Sequence, residues 1–476
     1  TVAPRDHLVA DPPARDRFAN ADPNPVKRAA EHPVSTFSVD VDTASYAWAR
    51  RSLREGRMPA PDAVRVEELV NYFAYDYPAA ESAARAFSVS TALVEAPWAE
   101  GRLLLRVGLR GYEPPTPTRA NYTFLIDTSG SMGAPDKLPL LLTSLRLLVD
   151  DLGPDDTVAI VTYAGSSTVA LEPTAASEKG AILDALDGLA AGGGTAGAAG
   201  IETAYRLAED RFDADAFNRV ILATDGDFNI GAASPDAMET LIEAKRRSGV
   251  YLSVLGFGRG NLNDALMQSL AQAGNGQAAY IDTLAEARKA LVEERRAMTP
   301  IASDVKVQVE FNPAAVEDYR LIGYETRALA REDFANDRID AGEIGAGHRV
   351  TALYEITPKG GPARVEPLRY ASEAARPAAE APEELAFVRL RWKAPGEAKS
   401  EEIGAPIAPA PGPADAETRF AAAVAGFGDL LRRSPHLGDW SYDEALALAE
   451  GAKGDDPFGY RAEFLDLVRL ARALDR

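Results

Sequence analysis

The run from Phe124 to Met132, Phe-Leu-Ile-Asp-Thr-Ser-Gly-Ser-Met, narrows the fold more than any other stretch of the chain. An apolar run that stops abruptly at Asp127 reads as a buried parallel strand, because such strands are covered on both faces. The residues beyond it offer hydroxyls at alternate positions, Ser129 and Ser131, around Gly130. A carboxylate and two hydroxyl oxygens on one loop at the carboxyl end of a strand form the kind of oxygen-rich site that suits a hard divalent cation.

At 476 residues the chain is too long for one ordinary core, and two or three domains are expected. No apolar stretch approaches the ~18 residues of a membrane-spanning helix, so no direct membrane span is expected. The net charge of -21 disfavours nucleic acid and anionic lipid, whose recognition draws on basic surface. With no cysteine, disulfides, thiol catalysis and Cys-ligated metals are excluded. The four histidines (His7, His32, His348 and His436) are scattered and read as surface or packing residues.

Residues 1–33, rich in Pro, Asp, Arg and Ala, read as a flexible leader, and the opening at Thr1 is taken as a mature or trimmed form. Residues 34–118 form an N-terminal helical segment and β-strands, with alternation at Phe87, Val89, Thr91 and Leu93 and again at Leu103, Leu105, Val107 and Leu109. Asp40, Asp42, Thr43 and Ser45 are either a second oxygen-rich site or a strand end with a helix cap. The alternating texture returns over 299–393, at Val305, Val307, Val309 and Phe311, at Val350 to Ile356 and at Val388 to Trp392. A two-stranded hairpin is marginal alone, so the flanking strands are expected to join in one antiparallel β-sandwich with the middle inserted between them. A Pro, Ala and Glu-rich linker (394–415) and a helical C-terminal tail (416–476) complete the chain.

The middle, 119–298, alternates strand-like runs near 121–127, 157–163, 167–171, 219–224, 250–256 and 278–281 with amphipathic stretches, ending in a helix over 284–296. The expected fold is α/β, a doubly wound, mostly parallel, Rossmann-like sheet whose ligand face is its carboxyl-end loops. Two further segments point to that face. Gly192 to Gly197 forms a glycine-rich loop carrying Thr195, which reads as a neutral ligand or as a helix cap. The run from Val220 to Asp227 closes an apolar strand on Asp225, a ligand or a common Asp-Gly turn, with Asp227 at the rim.

The motif Asp127-x-Ser129-x-Ser131, followed by Thr195 and Asp225 in that order, resembles the metal-ion-dependent adhesion site (MIDAS) of von Willebrand factor type A domains. The resemblance implies that Ser129, Ser131 and Thr195 coordinate a metal directly, while Asp127 and Asp225 act through water or as alternative ligands. With only two carboxylates, such an ion keeps positive charge and takes a sixth ligand from an Asp or Glu side chain of a protein partner. Magnesium suits so sparse an oxygen set, with manganese or calcium as substitutes. The runs Ser35 to Tyr46, Asp136 to Leu140, Ala223 to Asn229 and Leu255 to Asp264, with Asn312-Pro313 and Arg320 to Glu325, are similar to a bacterial group of type A domain proteins. That group has its own amino-terminal region and carboxyl-terminal extension. Its members often carry lipoprotein signals, which implies the cell envelope or periplasm and a lipid anchor upstream of the given chain. A cytoplasmic location is the alternative.

The expected function is a metal-ion-dependent protein-binding module, an adhesion or scaffold protein without catalytic residues. The alternative is a metal-dependent hydrolase or other enzyme using Asp127, Asp225 or Asp227, but magnesium activates water weakly and no histidine falls near these loops. Gly256 to Gly260 follows a strand, yet Asn261 stands where a dinucleotide fingerprint needs its third glycine, so a tight turn is the better reading. No internal repeat of fixed period supports a filament.

Overall fold

The structure is a computed structural model and describes Phe18 and residues 22–115, 119–194, 197–226, 235–259, 263–368 and 383–475. Two compact units emerge, one built on Asn121–Asp213 and Asn218–Gly274, the other on Asn20–Ala120, Ala214–Phe217 and Asn275–Arg476. The first thus interrupts the second in sequence.

Within the first unit the strands lie in the order Tyr251–Phe257, Phe217–Thr224, Ala120–Asp127, Thr157–Tyr163 and Ser167–Ala175. Thr157–Tyr163 runs parallel to Ala120–Asp127, with Asp127 opposite Tyr163, and Tyr251–Phe257 runs parallel to Phe217–Thr224. These four strands are almost wholly buried, as their Val, Ile and Leu runs require. Ser167–Ala175 is half exposed and antiparallel, so the sheet is mixed at that edge. The helix Leu138–Asp151 buries Leu138, Leu141, Leu145, Leu148 and Val149 at three- and four-residue spacing, and Pro139 sits in its first turn, where no intrahelical donor is lost. Gly200, in the helix Gly197–Asp210, lies so close to the sheet that a Cβ would come within 3.0 Å of Leu125 and 3.1 Å of Tyr163. The helix therefore settles directly on the two strands that end at Asp127 and Tyr163.

In the second unit, strands from before and after the insertion do join. Leu103–Gly111 pairs with Arg349–Pro358, placing Leu105 opposite Tyr354, and Val34–Ser38 pairs with Pro300–Phe311, placing Phe37 opposite Val307. Two antiparallel sheets result, and one buried cluster draws on both, including Leu105, Val107, Leu109, Val307, Val309, Phe311, Tyr354 and Trp392. The antiparallel sandwich expected from alternation is thereby present.

Three expectations are corrected. The flexible leader expected over residues 1–33 is shorter, because Lys27–Arg28 is a short strand on Val316–Ile322 and Arg28 forms an ion pair with Glu317. The segment 394–415 is not a plain linker: Ser400–Ile407 pairs along Ala386–Lys393 as an edge strand, where Pro406 is tolerated. The helical tail is present as expected, as Ala416–Leu431, Tyr442–Glu450 and Tyr460–Leu474, and its apolar faces merge with Ala44–Arg54 and Val66–Asn71 into a second core. Phe73, Phe420 and Phe464 meet edge to face at its centre, with ring centroids 5.0 to 5.7 Å apart. The expected helix over 284–296 is instead a short α-helix, Leu284–Arg288, that passes into a π turn, Lys289–Glu293, and a 3-10 turn, Arg295–Met298. Among the described residues, no helix is long and apolar enough to cross a membrane.

Candidate metal centre

Leu125 and Ile126 are fully buried, and so is Asp127, the carboxylate on which the strand ends. Just past it, Thr128 N still donates to Tyr163 O at 2.9 Å, while Ser129 N turns back to donate to Asp127 Oδ1 at 2.8 Å. This local turn converts the strand into the 3-10 turn Gly130–Gly133. It also brings Ser129 Oγ and Ser131 Oγ to 3.0 Å from each other. Ser129 is buried and Ser131 exposed, so the two hydroxyls step from the interior to the surface.

Asp127 Oδ2 accepts from Tyr163 Oη at 3.2 Å and from Thr224 Oγ1 at 3.3 Å. Burial pushes the Asp127 carboxyl above its usual range and nearby Asp225 adds to this, while the donors from Ser129 and Tyr163 oppose it. Tyr163 is held far above the ordinary phenol range, first by burial and then by Asp127, so it remains a hydrogen-bond donor at neutral pH.

The glycine-rich loop is stitched to this turn through the backbone: Gly192 N donates to Thr128 O at 2.7 Å and Gly130 N to Gly193 O at 3.2 Å. Thr195 and Asp227 lie outside the described residues. Asp225, at the end of Phe217–Thr224, is fully buried, and Lys137 Nζ donates to its Oδ2 at 2.7 Å. An open groove of about 430 Å³ begins one residue beyond Ser131, lined by Met132, Leu138, Leu142, Arg146 and Leu189 among others.

Asp127, Ser129 and Ser131 thus share one turn, and Asp225 ends the strand that carries Thr224, a donor to Asp127. The donor set suits a hard cation: two hydroxyls side by side, a buried carboxylate behind them, and a second buried carboxylate that in this structure is met by an ammonium. Sequence reasoning missed Tyr163, Thr224 and Lys137. The first two were visible only as strand residues, and Lys137 only as part of the run Asp136 to Leu140.

The second oxygen-rich grouping resolves differently. Asp40 Oδ2 and Asp42 Oδ2 accept from Arg327 at 3.0 and 3.2 Å, and Asp42 Oδ1 accepts from Ala278 N at 2.8 Å. These carboxylates knit the chain together. Thr43 holds the N-cap position of Ala44–Arg54 without a side-chain capping bond. Among the described residues, no group of three or more His, Cys, Asp or Glu side chains could hold a metal.

Comparison with known proteins gives family matches along most of the chain. Residues 121–294 match the von Willebrand factor type A domain, residues 12–106 a profile described as von Willebrand factor, and residues 296–474 the carboxyl-terminal region of uncharacterized protein YfbK. YfbK of Escherichia coli (strain K12) is 46% identical over 471 residues, covering 96% of this chain and 81% of that protein. Similar solved structures include a von Willebrand factor type A protein from Catenulispora acidiphila (16% identity, 81% of this chain and 89% of that one, TM-score 0.44). Another is the ArnB paralog VWA2 from Sulfolobus acidocaldarius (18% identity, 82% and 98%, TM-score 0.38). The chain belongs to the von Willebrand factor type A domain proteins of the YfbK family.

Proposed function

We propose that this protein is a metal-ion-dependent protein-binding module, with Asp127, Ser129, Ser131, Thr195 and Asp225 holding a magnesium-type ion that receives an Asp or Glu side chain of a partner protein. The observation that carries this reading is the pair of serine hydroxyls 3.0 Å apart in front of a fully buried Asp127. The bound ion would supply a Lewis-acidic oxygen acceptor. The chain's part is to hold the two hydroxyls rigidly, through the Ser129 N to Asp127 turn and the backbone pairs to Gly192 and Gly193. The groove beside Met132 gives a partner side chain an apolar shoulder next to the site.

A binding role is favoured over catalysis because residues 121–274 contain no histidine and the buried carboxylates are already engaged by Tyr163, Thr224 and Lys137. Manganese or calcium would substitute for magnesium. The same reading sets the module in the cell envelope, tethered by a lipid anchor upstream of the given chain, on the strength of the family resemblance.

Affinity purification from native cells tests it, comparing the parent with Asp127→Ala, each with and without chelator. A partner retained by the parent and lost in the other three arms is the expected result. Equal retention in all four would end the metal-bridged mechanism, and hydrolytic turnover abolished by Asp127→Ala would favour an enzyme.

A further inference from the structure

Two runs singled out in the sequence, Asp136 to Leu140 and Gly256 to Gly260, have no part in the proposed ligand set, yet they meet at it. Lys137 occupies the N-cap position of Leu138–Asp151, and its Nζ reaches Asp225 Oδ2 at 2.7 Å. The two side chains are 9% and 0% exposed. The aliphatic stem of Lys137 passes over Gly258, whose φ is +73°, and a Cβ there would overlap its Cγ, Cδ and Cε. Gly258 therefore meets two demands at once, a left-handed backbone and room for the lysine.

Nothing about the helix calls for a lysine at this position. A cation at a helix N-terminus opposes the macrodipole, and a lysine cannot accept the hydrogen bonds that a capping side chain accepts. A buried ammonium is tolerated only with a charge partner. The explanation for Lys137 thus lies at Asp225. The two strand ends carry two carboxylates, Asp127 and Asp225, and Lys137 offsets one of them. The number of uncompensated carboxylates is a main determinant of how tightly an oxygen site holds a divalent cation.

We infer that Lys137 is a built-in counter-cation that sets the metal affinity of this site low, so that the ion is held tightly only when an acidic side chain from outside adds its own carboxylate. This rests on the metal-dependent reading proposed above. Lys137 is a specificity-determining residue acting through Asp225, and the ligand class it favours is carboxylate-bearing protein side chains.

The test is titration of the full chain with Mn²⁺ alone, free Mn²⁺ being read by its electron paramagnetic resonance. Lys137→Met should bind Mn²⁺ at least about tenfold more tightly than the parent. Lys137→Gln, which keeps a donor to Asp225 without the charge, should do the same and separates charge from packing; near-UV circular dichroism checks both for the parent's fold. The unaltered chain supplies an arm that needs no variant: excess acetate should tighten Mn²⁺ at least about threefold over chloride at equal ionic strength. Lysine variants that bind no more tightly than the parent, or an acetate arm without effect, would overturn the role given to Lys137. A parent that binds no Mn²⁺, or binds it equally after Asp127→Ala, would instead overturn the metal reading itself, so the two failures are distinguishable.

Discussion

Arg50 and Glu286 stand 236 residues apart in sequence, yet Arg50 Nη2 donates to Glu286 Oε2 at 2.8 Å with both side chains 1% exposed. The same guanidinium pairs with Asp282 and with Glu463 Oε1 at 3.0 Å, and takes Tyr72 Oη as a further partner at 3.0 Å. One side chain on Ala44–Arg54 thereby joins the amino-terminal helices, the residues around Leu284–Arg288 and the last helix of the chain. Removing one member of such a buried network leaves charges uncompensated and costs about 3–5 kcal/mol. Arg50→Met is expected to lose that much in urea denaturation. A loss below about 1 kcal/mol would mean the network contributes little.

The carboxyl-terminal helices are structural rather than appended. Phe464 is fully buried between Phe73 and Phe420, so Phe464→Ala should cost about 3–5 kcal/mol. The check is cooperative unfolding followed by tryptophan fluorescence, since Trp98 and Trp440 are in ring contact at that core. A variant with parental stability would show the helices to be dispensable.

Glu67 gives the second unit a pH dependence. Burial, with Glu325, Asp40 and Glu68 nearby, pushes its carboxyl from 4.5 up to about 8. Between those values the folded chain binds a proton that the unfolded chain has released. Stability from this group is therefore fully present below about pH 4.5 and lost as pH rises toward 8, by at most about 1.4 kcal/mol per unit. Glu67→Gln keeps the neutral shape and should be the more stable form at pH 8, with the difference from the parent shrinking toward pH 5. Parallel stability curves for the two proteins would remove Glu67 as the source.

Magnesium should stabilise the parent, because a ligand bound only by the folded state adds RT ln(1 + [L]/Kd), about 2.7 kcal/mol at one hundred times Kd. The rise in melting temperature should vanish in Asp127→Ala and on adding chelator. An unchanged melting temperature at saturating magnesium and manganese would argue against any ion at Asp127, Ser129 and Ser131.

How much of this was legible beforehand follows from what each residue does. The strands leading to Asp127 and Asp225 were readable because buried parallel strands are near-continuous apolar runs, and a carboxylate marks where the apolar run stops. Joining the flanking strands needed only the rule that a lone hairpin is marginal. The partner of the carboxyl-terminal helices was not readable, since Phe420 and Phe464 announce a buried face but carry no address. Ser400–Ile407 was hidden because an edge strand buries little, and only Ile407 among its eight residues is fully covered. Lys137 was hidden for the opposite reason: a lysine beside Asp136 at the start of a helix reads as solvated surface, and its burial depends on Gly258, distant in sequence. Thr195 and Asp227 lie outside the described residues, and their assignment rests on the motif alone.

The pairing of Leu103–Gly111 with Arg349–Pro358 has a consequence for the order of events on the ribosome. The first partner is complete before the inserted unit has been synthesised, and the second follows roughly 240 residues later, about 10–50 s at ordinary elongation rates. Through that interval the hairpin Phe87–Glu95 with Leu103–Gly111 holds an unpaired, apolar edge. The inserted unit, whose parallel strands close over much shorter separations, is positioned to fold first and to draw the two halves of the sandwich together by shortening the loop between them. The nascent chain between those two moments is the form of this protein most exposed to aggregation, and the one a chaperone would meet.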